Sequence, residues 1–366
     1  MLTVVVCEDS VPVSQLLVEL INADPSLHVV GVAGNGREVI ELNRKLRPNV
    51  ITMDVRMPVL NGLEATRQIM AEQPTPIVLV SDIAEVDINL SMDALNAGAL
   101  AVLPKPHGPG HPDFKADGDR LRHTLHLMSS VKLVRRWMTT GPLPTPPKPS
   151  ATPSPSSDTY TSPVQPRLVA IGSSTGGPSA IATILSNLPP TFNLPILVTQ
   201  HIMPGFGTGL ARWLNDTTGR RVVTATEGMV IEPSSSITVI APDHCHMVLT
   251  AARQIAFDHR GLVNGVLPSV DVLFESIAHS LGPLAVGVLL TGMGRDGAQG
   301  LNKMRQAGSF TIAQDEATSV VFGMPKEAIA LGAAWKIAPL EKIASELVAI
   351  VGSSNKGIIR RPNNSK

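Results

Sequence analysis

Residues 141–166 read GPLPTPPKPSATPSPSSDTYTSPVQP, and this run divides the chain. It carries no apolar periodicity, and its prolines favour extended polyproline II over helix or sheet. Such a stretch buries too little surface to offset the entropy of ordering it. Any packed core must therefore form on one side of it or the other. The 366 residues suffice for two or three domains, at roughly 100–200 residues each. We read a first domain at 1–140, a spacer linker at 141–166, a second domain at 167–352 and a flexible tail at 353–366.

Composition limits the function classes. A 43% hydrophobic content suits packed cores. Lys+Arg and Asp+Glu both total 30, a formal net charge of +0. A nucleic-acid binder would carry a basic footprint, so none is expected. The two cysteines, Cys7 and Cys245, allow one bridge at most and point to a reducing compartment. The start, MLTVVVCEDS, has no cationic region and meets acids at once, unlike a signal peptide. No apolar run reaches the ~18 residues of a membrane helix. A soluble cytoplasmic protein, monomeric and without membrane insertion, is the expectation.

Before the linker, apolar runs alternate with helical patterns. Strands are expected at 3–7, 28–33, 49–54, 76–80 and 99–103, with helices between them and a last amphipathic helix over 114–137. That alternation predicts a doubly wound, five-stranded parallel sheet. In such sheets ligands bind beyond the carboxyl ends of the strands. Those ends deliver Glu8 and Asp9, then Asp54, Ser81 and Lys105. Three carboxylates at one edge repel one another unless a cation sits among them, and an oxygen-rich site of this kind suits Mg2+. Asp54 is then placed to attack a phosphoryl group. Ser81 would hydrogen-bond a phosphoryl oxygen, and Lys105 would balance its charge. Taken singly, Asp and Ser after strands are more often turn or cap residues.

The segments CEDS (7–10), MDVRMPVLNG (53–62), VSD (80–82) and PKP (104–106) resemble the receiver domain of response regulators. The resemblance covers about residues 1–125. It implies phosphorylation of Asp54 by a histidine kinase, with Glu8, Asp9, Asp54 and the Arg56 backbone carbonyl serving Mg2+. Where that family usually has an aromatic switch residue, this chain has Val102.

After the linker, strands at 167–172, 195–200, 285–290 and 310–313 and helices at 179–188 and 300–308 restore the α/β alternation. Short strands with turn residues suggest hairpins over 221–250. Strand 167–172 runs into GSSTGGP (172–178), a strand–turn–helix that satisfies G-x-S-x-G with Ser174 central. The motif alone divides evenly between a serine nucleophile and a phosphate cradle. His201 follows strand 195–200, and Asp296 lies in the loop after strand 285–290, both at the edge that carries Ser174. Ser, His and Asp on three parallel strand ends can converge as a catalytic triad. A dinucleotide site would instead want an acid after the second strand. The Met293 N–H sits where it can face an oxyanion. Asp271 and Asp315 are read as helix caps, and His244 and His246 around Cys245 as a turn rather than a metal site.

AIGSSTGGPSA (170–180), TQHIMPGF (199–206), LPSVDVLFES (267–276), LTGMGRDGAQG (290–300) and AQDEATSVVFGMPKEAI (313–329) resemble the catalytic domain of chemotaxis protein-glutamate methylesterase, the CheB family. The match spans about 167–350. It implies a doubly wound, mostly parallel α/β domain with an antiparallel hairpin. The implied activity is hydrolysis of glutamate methyl esters on chemoreceptors and deamidation of particular receptor glutamines. Ser174 would be the nucleophile, His201 the base and Asp296 its orienter, with the Thr175 and Met293 N–H groups on the oxyanion. Ester hydrolysis would need no cofactor; Mg2+ would serve phosphorylation only. Methyl-accepting chemoreceptors are the implied substrate and a chemotaxis histidine kinase the phosphodonor. Leu267 stands where the family often has arginine. A non-catalytic receiver-linked adaptor is the alternative, disfavoured by the intact Ser174, His201 and Asp296. A DNA-binding regulator is disfavoured by neutral charge.

Overall fold

The computed structural model describes residues 1–82, 85–131, 165–202 and 204–353, with the side chains of 85–89 left out. Almost all of the linker, and the tail beyond residue 353, lie outside these residues.

The first domain alternates strand and helix throughout: β1 (Leu2–Cys7), α1 (Val11–Asn22), β2 (Leu27–Ala33), α2 (Gly36–Leu46), β3 (Val50–Met53), α3 (Gly62–Glu72), β4 (Ile77–Ser81), α4 (Glu85–Asn96), β5 (Ala101–Pro104) and α5 (Phe114–Ser129). The five strands form one parallel sheet in the order β2-β1-β3-β4-β5. Val4, Val5 and Val6 are fully buried because a parallel sheet is covered on both faces. Local signals start the helices. Pro12 sits in the first turn of α1, and the Asn35 side chain accepts from the Arg37 and Glu38 N–H groups at the start of α2. Helix α5 is described to Ser129; the remainder of the helix expected over 114–137 falls largely outside the described residues.

The second domain begins with β6 (Leu168–Ser173), α6 (Gly177–Asn187), β7 (Ile196–Gln200), α7 (Gly207–Thr218), β8 (Arg221–Thr224) and β9 (Ile237–Ile240). There follow β10 (His246–Leu249), β11 (Ile255–Asp258), α8 (Val270–Ser280), β12 (Ala285–Leu289), α9 (Ala298–Gln306), β13 (Phe310–Gln314), α10 (Met324–Ala330), β14 (Lys336–Ala338) and α11 (Leu340–Ser353). Seven strands form a parallel sheet in the order β14-β13-β12-β6-β7-β9-β8. Strands β10 and β11 make a separate antiparallel hairpin. One expectation needs correcting. The hairpins read over 221–250 are found only in part: β8 and β9 pair in parallel, and the antiparallel hairpin begins with β10 at residue 246. Residues 225–236 between them have the length a parallel crossover requires, and they carry Ala225 and Ile231 into the core rather than forming a tight turn.

The apolar packing runs from one domain into the other. Residues of α3 and α4 join the cluster that also holds α6 and α7. Trp213 Nε1–H on α7 donates to Asp93 Oδ1 on α4 at 2.8 Å, and the Ser179 hydroxyl on α6 donates to the Leu95 carbonyl at 3.0 Å. Val320 and Val321 pack against a cluster built mainly from the first domain.

Phe274 on α8 is fully buried in a second core cluster of the second domain, beside Gly300 of α9. Phe274→Ala should cost about 3–5 kcal/mol of that domain's stability, read from the denaturant midpoint of its unfolding transition. A loss under ~1 kcal/mol would mean that this helix pair does not hold the core together.

Candidate functional site

Two clusters of polar side chains lie at the carboxyl edges of the two parallel sheets. In the first domain, ligand atoms of Glu8, Asp9 and Asp54 all lie within 4.8 Å of one another. Glu8 and Asp54 are buried, while Asp9 is exposed. Lys105 reaches in from the end of β5, its Nζ 2.9 Å from Asp54 Oδ2 and 3.2 Å from Glu8 Oε1. The Val55 N–H donates to Asp54 Oδ1 at 2.6 Å and the Arg56 N–H approaches the same oxygen at 3.4 Å. Ser81 is buried at the end of β4, its hydroxyl 3.4 Å from the Asp82 carbonyl.

The electrostatics of this edge follow from crowding. Burial, then the Asp54 charge, push the Glu8 carboxyl up to about 7, against the opposing pull of Lys105. Burial also raises Asp54, while Lys105 and the backbone N–H groups oppose it. One lysine does not satisfy the set: Glu8 Oε2 is buried with no hydrogen-bond partner in favourable geometry, although Lys105 Nζ lies 3.1 Å away. An orphaned carboxylate oxygen within a cluster of oxygen donors fits a hard divalent cation such as Mg2+.

In the second domain, β12, β6 and β7 are adjacent and their ends supply the other cluster. Ser173 ends β6 and is buried, its hydroxyl donating to Gln200 Oε1 at 2.6 Å. Ser174, the next residue, is half-buried at the start of the turn into α6. That turn requires glycine twice. Gly176 has φ +78, and a Cβ on it would meet Val320 at 2.6 Å. A Cβ on Gly177 would collide with the Gln200 Oε1 atom. His201 follows β7, and its Nε2 lies 2.8 Å from Asp296 Oδ2. Among the described residues no hydrogen bond links the Ser174 hydroxyl to His201; such bonds often tighten only once substrate is bound. The backbone does link the two strand ends, since the His201 N–H donates to the Ser173 carbonyl at 2.9 Å. Gln200 Nε2 then bonds the carbonyls of Ser174 and His201, at 2.8 and 2.7 Å. The Thr175 and Met293 N–H groups have no acceptor among the described residues, and Met293 is exposed.

Asp296 is 3% exposed and is held from several sides. Its oxygens accept from the Ser269 hydroxyl at 2.7 Å, the Val270 N–H at 2.6 Å and Asn264 Nδ2 at 2.9 Å. Burial would raise this carboxyl, but hydrogen bonds from His201, Ser269 and Asn264 prevail and hold it below the usual range. Asn264 and Ser269 are the site residues that sequence reading missed. Their signal was present: Asn264-Gly265 is a tight-turn dipeptide, with φ +54 and +79, closing the Val263–Val266 bridge. Ser269 caps α8 by accepting from the Val272 N–H.

The neighbouring candidates prove structural. Asp271 accepts from the Gly300 N–H at 2.6 Å, so it caps α9 rather than its own helix. Asp315 closes a turn by accepting from the Thr318 N–H and hydroxyl. His246 is fully buried with both ring nitrogens engaged, Nδ1 accepting from the Ser269 N–H and Nε2 lying 3.0 Å from the Gly261 carbonyl. Neither nitrogen is left to bind a metal, and His246 opens strand β10 rather than lying in the expected turn.

Comparisons with known proteins identify the family. The family profile of CheB methylesterase matches residues 169–347, and that of the response regulator receiver domain matches 4–111. A protein-glutamate methylesterase/protein-glutamine glutaminase of Myxococcus xanthus is 45% identical, over 95% of this chain and 96% of the relative. One from Nitrosospira multiformis is 43% identical, over 96% and 97%. The crystal structure of the Thermotoga maritima CheB methylesterase catalytic domain is 38% identical, covering 51% of this chain and all of that one, with a TM-score of 0.49. With relatives this similar along almost its whole length, the chain belongs to the protein-glutamate methylesterase/protein-glutamine glutaminase family, with a receiver domain in front of a CheB methylesterase domain.

Proposed function

We propose that this enzyme hydrolyses glutamate methyl esters and deamidates glutamines on chemoreceptors by a Ser174–His201–Asp296 triad, and that phosphorylation of Asp54 activates it. The names of its relatives, protein-glutamate methylesterase/protein-glutamine glutaminase, support both activities. The observation that carries the triad is the His201–Asp296 bond of 2.8 Å, formed at the sheet edge where β6 delivers Ser174.

The chemistry follows from that pair. With the proton on Nε2 directed at Asp296, Nδ1 of His201 carries the free lone pair and accepts the Ser174 proton. The Ser174 Oγ attacks the ester carbonyl, and the Thr175 and Met293 N–H groups take the negative charge that develops on its oxygen. His201 returns the proton to the leaving group, methanol from an ester or ammonia from an amide. Water then attacks the acyl-enzyme by the same route. Asp296 stays ionised throughout, because its donors hold it below the usual carboxylate range. No step needs a metal.

In the receiver, Glu8, Asp9, Asp54 and the Arg56 carbonyl would hold Mg2+, which supplies charge neutralisation as a phosphoryl group arrives. Asp54 offers the attacking carboxylate, Ser81 a hydrogen bond and Lys105 a compensating charge. Regulation is supported by the packing of α4 on α6 and α7 and by Val320 and Val321 against the first domain's core. Val321 bonds Thr291 and Gly292, and a Cβ on Gly292 would meet Ser174 Cβ at 2.8 Å, so the receiver touches the loop beside the nucleophile.

Ser174→Ala should lower demethylation of methylated receptor by ~10³-fold or more, and His201→Ala should match it. The double variant should be hardly worse, because the two act as a unit. Ser173→Ala should instead cost about 1–3 kcal/mol of stability by stranding Gln200 Oε1, with turnover largely kept. A Ser174→Ala protein near wild-type rate would sink the serine mechanism and favour the adaptor.

Asp54→Ala should abolish stimulation by a small phosphodonor, and removal of residues 1–140 should raise the unstimulated rate. Trp213→Phe keeps an aromatic ring, though a smaller one, and loses the N–H that bonds Asp93, so it should raise the unstimulated rate of the full chain. Normal stimulation of Asp54→Ala would refute the gating.

Chelation with EDTA should suppress stimulation by the phosphodonor and leave unstimulated ester hydrolysis unchanged. Hydrolysis silenced by EDTA would place a metal in the catalytic domain.

A further inference from the structure

Residues 263–266 form a tight turn between β11 and α8, closed by the reciprocal Val263–Val266 bonds, with Asn264 at φ +54 and Gly265 at φ +79. Asn264 is exposed as a residue, yet its side-chain amide reaches two buried carboxylates. Nδ2 donates to Asp271 Oδ2 at 2.7 Å and to Asp296 Oδ1 at 2.9 Å. Both partners are acceptors, which requires the nitrogen rather than the oxygen on this side, and its two N–H groups serve one carboxylate each. Among the described residues no other side chain of the turn hydrogen-bonds a triad member.

The two oxygens of Asp296 have different duties. Oδ2 takes His201 Nε2 at 2.8 Å and the Val270 N–H at 2.6 Å, while Oδ1 takes the Ser269 hydroxyl at 2.7 Å and Asn264. The last torsion of an aspartate is broad and roughly two-fold, so nothing within Asp296 fixes the plane of its carboxylate. Donors on Oδ1 do so, and a turn of that plane would carry Oδ2 away from the imidazole. Ser269 and Val270 act from the start of α8. Asn264 acts from a surface turn and needs an anchor of its own. Asp271 supplies it: the residue is 5% exposed, and its other oxygen is held by the Gly300 N–H at 2.6 Å. Burial raises the Asp271 carboxyl against that bond and the Asp296 charge adds to it, so the two carboxylates feel each other across the amide.

We propose that Asn264 is a positioning residue for the hydrolase: by bridging Asp271 to Asp296 it locks the Asp296 carboxylate in the plane that presents His201 to Ser174. The inference rests on the Ser174–His201–Asp296 reading and adds to it a residue that acts only through Asp296. Its loss should therefore lower turnover and leave substrate binding in place. The polarity of the bridge is as important as its shape. Asp271→Asn can keep its oxygen on the Gly300 N–H, but it then turns an NH2 group toward the Asn264 NH2 group. Asn264 can relieve that conflict only by turning its own oxygen against Asp296.

The test is steady-state methanol release from methylated chemoreceptor by the full chain, with the small phosphodonor in every arm and at a temperature where melting curves show each variant folded. Asn264→Gly suits the left-handed backbone and removes only the amide. It should lower kcat ~10- to 100-fold, with KM within about twofold of wild type. Asp271→Asn should do the same, and the double variant should be hardly worse than either single one, because both changes break one link. The low-field proton NMR resonance of the His201 ring N–H bonded to Asp296 should be broadened or lost in Asn264→Gly. If Asn264→Gly does not fold, Asn264→Asp, which keeps the shape and loses the donor, decides in its place. Wild-type kcat in the Asn264 variant, an effect confined to KM, or additive effects in the double variant would overturn the proposal. Asp296→Asn in the same assay separates the two readings. A near wild-type rate there would overturn the triad itself, whereas a slow Asp296→Asn beside a wild-type Asn264→Gly would overturn the positioning role alone.

Discussion

A parallel sheet covered on both faces gives its strands nowhere to put charged side chains except at their ends, and both sites of this enzyme are consequences of that restriction. Strands β1, β3, β6 and β7 are buried along nearly their whole length. Threonines apart, their polar residues appear where the strand stops: Glu8 and Asp54 in one sheet, Ser173–Ser174 and Gln200–His201 in the other. Crossover helices return the chain to the same side each time, so every strand delivers its terminal residue to the same edge. In the second sheet β6 lies between β7 and β12, the point at which the strand order reverses. A crevice opens at such a point, and Ser174, His201 and Asp296 come from the three strands that flank it.

The two edges then diverge in electrostatics. In the receiver, carboxylates outnumber nearby donors and burial drives Glu8 and Asp54 upward, leaving a site short of positive charge. In the hydrolase, Asp296 is as deeply buried yet is held low, because His201, Ser269, Asn264 and the Val270 N–H converge on it. Asp271, a few ångströms away and sharing Asn264, is pushed the other way, first by burial and then by the Asp296 charge against the bond from Gly300. One carboxylate is therefore kept ionised for the histidine while its neighbour serves structure. Environments that separate paired carboxylates in this way are how a fold assigns acid and base roles.

Sequence reading reached the strand ends because apolar runs that stop at a polar residue are a local signal. It placed Ser174, His201, Asp296 and the receiver acids at the correct edges. It erred where local and long-range cues conflict. EGM and EPSSS look like hairpin turns, but the strands they separate are paired in parallel, which depends on β7 lying between β9 and the rest of the sheet. It missed Asn264 and Ser269 because their partner is Asp296, 32 and 27 residues away, and a cap or a turn does not announce what its spare hydrogen bond will hold. Ser173, one residue before the central serine of the motif, is instead tied to the neighbouring strand end by its bond to Gln200.

The same economy of contacts bears on how one site reaches the other. Ser81 ends β4, α4 follows it, and two residues of α4, Asp93 and Leu95, meet Trp213 and Ser179. Ser179 lies in the first turn of α6, the helix that begins directly after the Ser174 turn. Few elements thus separate Asp54 from Ser174. Across this junction the neutral Ser179–Leu95 bond contributes about 0.5–1.5 kcal/mol net and the Trp213 bond to the Asp93 carboxylate about 1.5–3 kcal/mol, and ~1.4 kcal/mol corresponds to a tenfold shift in an equilibrium. Two such bonds with the surrounding apolar contact can keep the domains together without holding them beyond the reach of one phosphoryl group. The proposed regulation by phosphorylation would act on that balance only through a difference in how it stabilises the closed and open arrangements. A larger or drier interface would resist that bias, and a smaller one would leave the esterase ungated.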